Sequence, residues 1–258
     1  MNKIFLDIGN SFIKWATVED GYYEVQDPLK LDDVLSHGLD VFGLAFQPNE
    51  VFYSSVADPC NVDSLKSLMQ TQWQLFPVRL TSQKSCCGLT SGYEEFSSLG
   101  DDRWFAMLGA LDIFTGPVIV IDAGTALTVD AIVDGKHKGG FIVPGLYTMR
   151  KSLSLSTSDL NDVNVLSNDK DNNDDNGEDK LLATDTTSAI LGGTLYMAAS
   201  FINQLISDLN NQLHTRFTVI VTGGEASQLT PLLDYEYELI SDLVLQGMVY
   251  VEETVKKQ

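Results

Sequence analysis

The 258-residue chain is long enough for two modest lobes, or one large one, around an ample core, which excludes a peptide-sized or disulfide-stapled scaffold. Its 16 basic side chains against 36 acidic ones give a formal charge of −20, which opposes any binding mode that neutralises phosphates along a nucleic-acid backbone. A small phosphorylated ligand stays open, because backbone N–H groups and one or two local cations hold it whatever the global charge. The first residues, Met1-Asn2-Lys3 and a short apolar run broken by Asp7, lack the apolar stretch and cleavage site of a secretory leader, so export by that route is not expected. Three cysteines, Cys60, Cys86 and Cys87, are an odd count with no CxxC pair; they fit a reducing, cytoplasmic setting and argue against a zinc site.

In chain order, Ile4-Phe5-Leu6-Asp7-Ile8 reads as a strand, Asn10-Ser11 as a tight turn, and Phe12-Ile13-Lys14-Trp15-Ala16-Thr17-Val18 as a second strand. Glu19-Asp20-Gly21 breaks to a third strand at Tyr22-Tyr23-Glu24-Val25, so the chain opens as an antiparallel meander. Short helices and strands continue through 51–56 and 73–78. Residues 101–114 place Trp104, Leu108 and Leu111 at helical spacing, and Gly116-Pro117 marks a lobe boundary.

Beyond it the opening pattern returns. Val118-Ile119-Val120-Ile121 runs into Asp122-Ala123-Gly124-Thr125, then a strand at 127–133, an Asp134-Gly135 turn and a strand near 141–143, which suggests a duplicated unit. Residues 168–180 hold no apolar side chain and predict a mobile acidic loop. A long helix is expected from Thr186 to Asn210; its charge-free stretch 186–207 is about long enough to span a bilayer but carries Thr, Ser, Asn203 and Gln204, so a buried soluble helix is expected. A buried strand at 218–221, a glycine turn at Thr222-Gly223-Gly224-Glu225, a strand with one wet face at 235–240 and a helix at 243–251 complete an α/β chain.

Chemistry concentrates at the turns. Asp7-Ile8-Gly9-Asn10-Ser11 puts a carboxylate at a strand end, where it could hold magnesium, and a glycine where phosphate approaches the backbone, with Lys14 adding charge. An ordinary hairpin satisfied by its own Asp and Asn is the plainer reading of that turn alone. Asp122-Ala123-Gly124-Thr125 and Thr222-Gly223-Gly224 add two more turns able to border a nucleotide. In Gly100-Asp101-Asp102-Arg103, an aspartate pair balancing the helix dipole with Arg103 on the solvated face is the plainer reading; a general base at Asp102 with an arginine fork for a carboxylate is the sharper one. His37, His137 and His214 lie in no metal-ligand spacing and read as surface or satisfied core residues.

These residues together resemble the type III pantothenate kinases of the acetate and sugar kinase, Hsp70 and actin superfamily. The resemblance runs through Asp7-Ile8-Gly9-Asn10-Ser11 with Lys14, Tyr93 ahead of Gly100-Asp101-Asp102-Arg103, Asp122-Ala123-Gly124-Thr125, Gly139-Gly140-Phe141-Ile142-Val143-Pro144-Gly145, Thr186 and Thr222-Gly223-Gly224. Phe96 stands where the family usually has proline. The resemblance implies two ribonuclease-H-like lobes, divided as 1–115 and 116–258, with ATP in the cleft between them and its γ-phosphoryl group passing to the terminal hydroxyl of pantothenate, the first step toward coenzyme A. It implies Asp102 as general base, Arg103 with Tyr93, Gly100 and Thr186 as pantothenate contacts, and Asp7, Gly9, Asn10, Ser11, Lys14, Thr125, Gly223 and Gly224 around ATP. It further implies Asp122 as ligand of a potassium or ammonium ion beside magnesium, and a cytoplasmic homodimer engaging neither nucleic acid nor membrane. A kinase for another small alcohol and a noncatalytic regulatory binding protein on the same fold are the alternatives.

Overall fold

A computed structural model of the chain describes residues 1–156 and 181–256, so the acidic segment 168–180 lies outside the described residues. The chain divides into two units: the first comprises Met1–Val118, Asp130–Gly139 and Asp242–Gln258, the second Ile119–Val129 and Gly140–Ser241. The division expected at 115/116 therefore falls at 118/119, and the chain returns twice to the first unit, with a hairpin tip and with its last helix.

The first unit is built on β1 (Lys3–Ile8), β2 (Phe12–Glu19), β3 (Tyr22–Lys30), β4 (Glu50–Ser55) and β5 (Val78–Arg79), ordered β3-β2-β1-β4-β5. β1 pairs antiparallel with β2 and parallel with β4, so it sits centrally, and its apolar run is buried from Ile4 to Ile8. One face packs on α1 (Leu31–His37) and α2 (Pro59–Leu68), where Trp15, Phe42 and Trp73 meet edge to face with centroids 4.9 and 5.3 Å apart. Asp58 caps α2, its carboxylate accepting from the Cys60 N–H at 2.8 Å. The stretch 73–78 is not a strand: Trp73 closes a π-helical turn, Gln74 is left-handed at φ 57°, and only Val78–Arg79 pairs with β4. Trp73 and Leu75 reach the core from a turn rather than from a pleat, and Phe76 and Val78 stay exposed.

Helix α3 (Asp101–Ile113) buries Trp104, Phe105, Met107 and Leu108 on all sides, and α7 (Leu243–Lys256) packs on it. The two helices meet where glycine faces glycine. A Cβ on Gly109 would come within 2.4 Å of the Leu243 carbonyl, and one on Gly247 within 1.9 Å of the Phe105 carbonyl. α7 is also tied to β1: Glu252, 4% exposed, accepts from Lys3 at 2.7 Å and pairs with Lys256 at 2.6 Å. Burial alone would raise its carboxyl, but the two lysines outweigh that and hold it below the ordinary glutamate value. β6 (Ser85–Cys86) and β7 (Leu89–Thr90) form a hairpin whose free Cys86 and Cys87 thiols lie 3.2 Å apart; burial and the contact with Cys87 push the Cys86 thiol up to about 12.

The second unit carries β8 (Val118–Ala123), β9 (Ala126–Val133), β10 (Lys136–Pro144), β11 (Thr218–Thr222) and β12 (Tyr237–Leu239) in the order β12-β11-β8-β9-β10, with α4 (Leu146–Ser156), α5 (Thr186–Leu213) and α6 (Ala226–Leu229). The strand expected at 235–240 shrinks to three residues, all exposed, because β12 is the sheet edge and its Tyr-Glu alternation covers no core. The long helix forms as expected, but it is not buried: only 28% of its most apolar stretch is enclosed, with Tyr196 and Met197 more than half exposed. Thr194, Ala198, Ala199, Ile202 and Ile206 make one inward stripe, and the exposed side carries Ala189, Tyr196 and Met197 as an apolar patch followed by Ser200 and Gln204.

Candidate active site

In the first unit, the two-residue turn between β1 and β2 is closed by the Gly9 N–H donating to the Phe12 carbonyl at 3.0 Å. Strand register then sets Asp7 directly opposite Lys14. A carboxylate 9% exposed and a half-buried ammonium thus share one face at the mouth of the turn, while Asn10 and Ser11 are exposed at its tip. Asn10 is also anchored, its side-chain oxygen accepting from the Asp58 N–H at 3.2 Å. The tip is held between β1 and the start of α2, so its backbone N–H groups are presented from a fixed loop.

The second cluster of this unit gathers around the start of α3. Gly100 is the N-cap, and Asp102 lies in the first helical turn with its Oδ1 accepting from the Arg103 N–H at 2.8 Å. Burial is the largest influence on Asp102 and outweighs the neighbouring Arg103, so its carboxyl is raised above the ordinary 3.8. Such a carboxylate is a better proton acceptor than a solvated one. Asp101 does not balance the helix dipole in solvent: it is buried and receives the Ser82 N–H at 2.7 Å and Arg79 at 3.4 Å, fastening the 79–82 segment to α3.

Arg103 corrects the plainer sequence reading as well. Every residue from Arg103 to Ala110 is buried, so this stretch of α3 has no solvated face, and the Arg103 side chain is 4% exposed. Its Nε donates to Asp130 Oδ2 at 2.8 Å, one terminal nitrogen to Asp130 Oδ1 at 2.5 Å, and the other to the Tyr93 hydroxyl at 2.8 Å. Burial alone would lower the guanidinium; the Asp130 carboxylate more than offsets this and raises it. His137 Nε2 meets Asp130 Oδ1 at 2.8 Å, and the Tyr93 ring stacks on the imidazole with centroids 5.8 Å apart. Phe96 opens a single 3-10 turn, and Tyr93 still reaches Arg103.

In the second unit, Asp122, Thr125, Gly223 and Gly224 come together. The Glu225 N–H donates to the Ala123 carbonyl at 2.8 Å, which seats the β11 turn on the end of β8. Gly223 has φ +97°, and a Cβ there would lie 2.4 Å from the Ala123 carbonyl and 2.5 Å from Asp122 Oδ1, so only glycine admits this approach. The Thr125 carbonyl accepts from the Gly145 N–H at 3.0 Å and the Thr148 hydroxyl at 2.6 Å. Glu225 receives the Leu146 and Tyr147 N–H groups at 2.8 Å each and so caps α4. Thr186 begins α5 beside its N-cap Asp185 and lines a cavity of about 710 Å³ with Leu153, Ala189, Ile190 and Met197.

Asp130, His137 and Glu225 were not singled out from the sequence as site residues. The signal for Asp130 was present: one charge inside the apolar strand Leu127-Thr128-Val129-Asp130-Ala131-Ile132 demands a buried partner. The partner is Arg103, which only the plainer of the two readings placed on a solvated face.

The residues present fit the implied cations. Among the described residues no three His, Cys, Asp or Glu side chains group around one point. The Asp122 carboxylate and the Ala123 carbonyl both lie beside the space that a Cβ at 223 would fill, two oxygens of the kind a hard monovalent ion takes as ligands. A single carboxylate such as Asp7 suits magnesium that takes its other ligands from phosphate and water.

Comparison with known proteins gives the family. The family model described as type III pantothenate kinase matches residues 3–208. A type III pantothenate kinase from Hydrogenovibrio crunogenus is 42% identical over 254 residues, covering 98% of this chain and 99% of that protein. One from Nitrosococcus oceani is 32% identical, covering 98% and 95%. Among solved structures, a protein described as a Baf family transcriptional activator from Campylobacter jejuni superposes with TM-score 0.58 at 22% identity, covering 99% of this chain and 100% of that one. The ethanolamine utilization protein EutJ from Carboxydothermus hydrogenoformans gives 0.53 at 12%, covering 97% and 90%. These last two show the fold, a mixed α/β architecture shared over nearly the whole chain. The sequence matches go further: the chain belongs to the type III pantothenate kinase family.

Proposed function

We propose that Asp102 is the general base, and Arg103 with Tyr93 the acceptor-binding pair, in the reaction that family membership gives this chain: ATP-dependent phosphorylation of pantothenate, the first step of coenzyme A biosynthesis. The observation that carries the assignment is a partly buried carboxylate with raised proton affinity one residue from a fixed guanidinium. As the acceptor hydroxyl attacks the γ-phosphorus and the bond to the ADP oxygen breaks, its proton passes to Asp102. Arg103 and the Tyr93 hydroxyl hold the pantothenate carboxylate, with Gly100 leaving the space Asp102 occupies and Thr186 contributing a further contact. On the nucleotide side, Lys14 and the turn N–H groups of Gly9, Asn10 and Ser11 receive phosphate oxygens, and Thr125, Gly223 and Gly224 border the nucleotide. Asp7 would hold magnesium and Asp122 potassium or ammonium, ions that when bound neutralise charge on the triphosphate.

The chain works as a cytoplasmic homodimer in this reading. Three free cysteines support the compartment, and the uncovered apolar side of α5 supports the pairing.

The deciding experiment incubates the purified chain with ATP, magnesium, potassium and an equimolar mixture of pantothenate and competing small alcohols, and identifies products by mass spectrometry. Phosphopantothenate alone is the expected product. Phosphorylation of a different alcohol would overturn the acceptor assignment, and full turnover by Asp102→Asn would overturn the base.

A further inference from the structure

We infer that Asp130, held in turn by His137, is the positioning residue that aims Arg103 at the acceptor's carboxylate; this rests on the reading above that Arg103 binds that group. A guanidinium carries five N–H donors in a rigid plane. Asp130 takes two of them, on Nε and on one terminal nitrogen, and the Tyr93 hydroxyl takes one on the other. One N–H therefore remains on each terminal nitrogen, a two-pronged donor whose plane is fixed by Asp130. Without Asp130 the side chain of Arg103 would have its rotamers and its orientation to choose, and a planar fork binds a carboxylate well only when the planes match.

The carboxylate of Asp130 is itself held from a second direction. Its Oδ1 already accepts from Arg103, and an ionised carboxylate only accepts, so His137 must carry a proton on Nε2 and donate it to that oxygen. The His137 side chain is fully buried, and its Nδ1 has no hydrogen-bond partner among the described residues. The same imidazole stacks on the Tyr93 ring, whose hydroxyl is the third hydrogen-bond partner of the guanidinium. Three side chains, Tyr93 from the loop before α3 and Asp130 and His137 from the hairpin tip Asp130–Gly139, thus form one connected set about the Arg103 guanidinium of α3. Its effect is on selectivity between an anionic and a neutral acceptor: pairing with Asp130 lowers the net charge offered to a ligand, so orientation rather than raw charge discriminates.

The test measures kcat/KM for pantothenate and for its uncharged primary amide, in the native chain and in Asp130→Asn, His137→Phe and Arg103→Ala, with KM for ATP followed alongside. We expect Asp130→Asn to cut the acid-to-amide preference at least tenfold, mainly through KM for the acid, with KM for ATP unchanged. His137→Phe keeps a ring against Tyr93 but not the hydrogen bond, and should cut the same preference about threefold. If Asp130→Asn does not fold, His137→Phe decides alone. If Arg103→Ala leaves the preference intact, the carboxylate-binding reading itself fails. If Arg103→Ala abolishes it while the Asp130 and His137 variants leave it as in the native chain, the positioning inference fails and the reading survives.

Discussion

At Gly100 the backbone is an ordinary extended N-cap, φ −55°, so alanine meets no conformational strain there. What alanine meets is Asp102: its Cβ would fall 2.5 Å from Oδ1, the oxygen that accepts the Arg103 N–H. The carboxylate must rotate away and exchange that one hydrogen bond for another, so the larger cost appears in chemistry rather than in stability. Gly100→Ala is expected to shift the thermal midpoint by little while lowering kcat ten- to a hundredfold, a small part of what a well-placed general base contributes; unchanged kcat would show that the Asp102 position is not critical. The carboxyl of Asp102 adds a pH signature. Because burial raises it above 3.8, its contribution to stability is complete below 3.8 and is lost as pH rises through the folded-state value. Above that value the ionised carboxylate weakens the fold, so Asp102→Asn should keep or raise the thermal midpoint at neutral pH while removing turnover. The acid limb of kcat/KM should likewise lie above the range of an ordinary aspartate, and a limb at or below 3.8 would contradict the assignment.

The crossing of α3 and α7 is the element on which the first unit depends, since α3 carries Asp102 and Arg103 and α7 holds it from behind. Glycines 109 and 247 allow backbone to touch backbone, and a methyl at 247 would press on the Phe105 carbonyl at 1.9 Å, which has no flexible end to yield. Gly247→Ala should therefore cost about 3 kcal/mol by chemical denaturation, the upper end for overpacking, despite alanine's better helix propensity; a neutral or stabilising result would mean the helices separate freely. Neither glycine was marked by the sequence, because a packing glycine inside a helix looks like a weak helix position until its neighbour is known. The opening meander, α3 and the three glycine turns were legible, since each rests on local periodicity or turn chemistry. Arg103 and Asp130 were not: the pairing of residues 27 apart is made by the return of the hairpin tip to the first unit, and local pattern does not register it. The same limit explains α5, where composition identified the helix but not which side the rest of the chain covers.

For the whole molecule the question raised by α5 is what meets its apolar side. Residues 186–207 carry no charge although the chain carries −20, so two copies can bring these stretches together while their acidic surfaces stay apart. Leu153, Tyr196 and Met197 are 40, 63 and 56% exposed in the single chain, and Leu153 and Met197 line the cavity that also holds Thr186. Association of two copies of charge −20 is opposed at long range by their mutual repulsion, which salt screens over a Debye length of about 10 Å at 0.1 M. The dimer is thus expected to tighten as salt is raised, opposite to an assembly held by ion pairs. Light scattering should give twice 28.4 kDa for the native chain. Met197→Asp places a charge at an exposed position, where the fold of one copy loses little, and should give 28.4 kDa at the same concentration with the thermal midpoint of the monomer retained. A native chain that runs as a monomer, or a Met197→Asp variant that still pairs, would place the partner surface away from this helix.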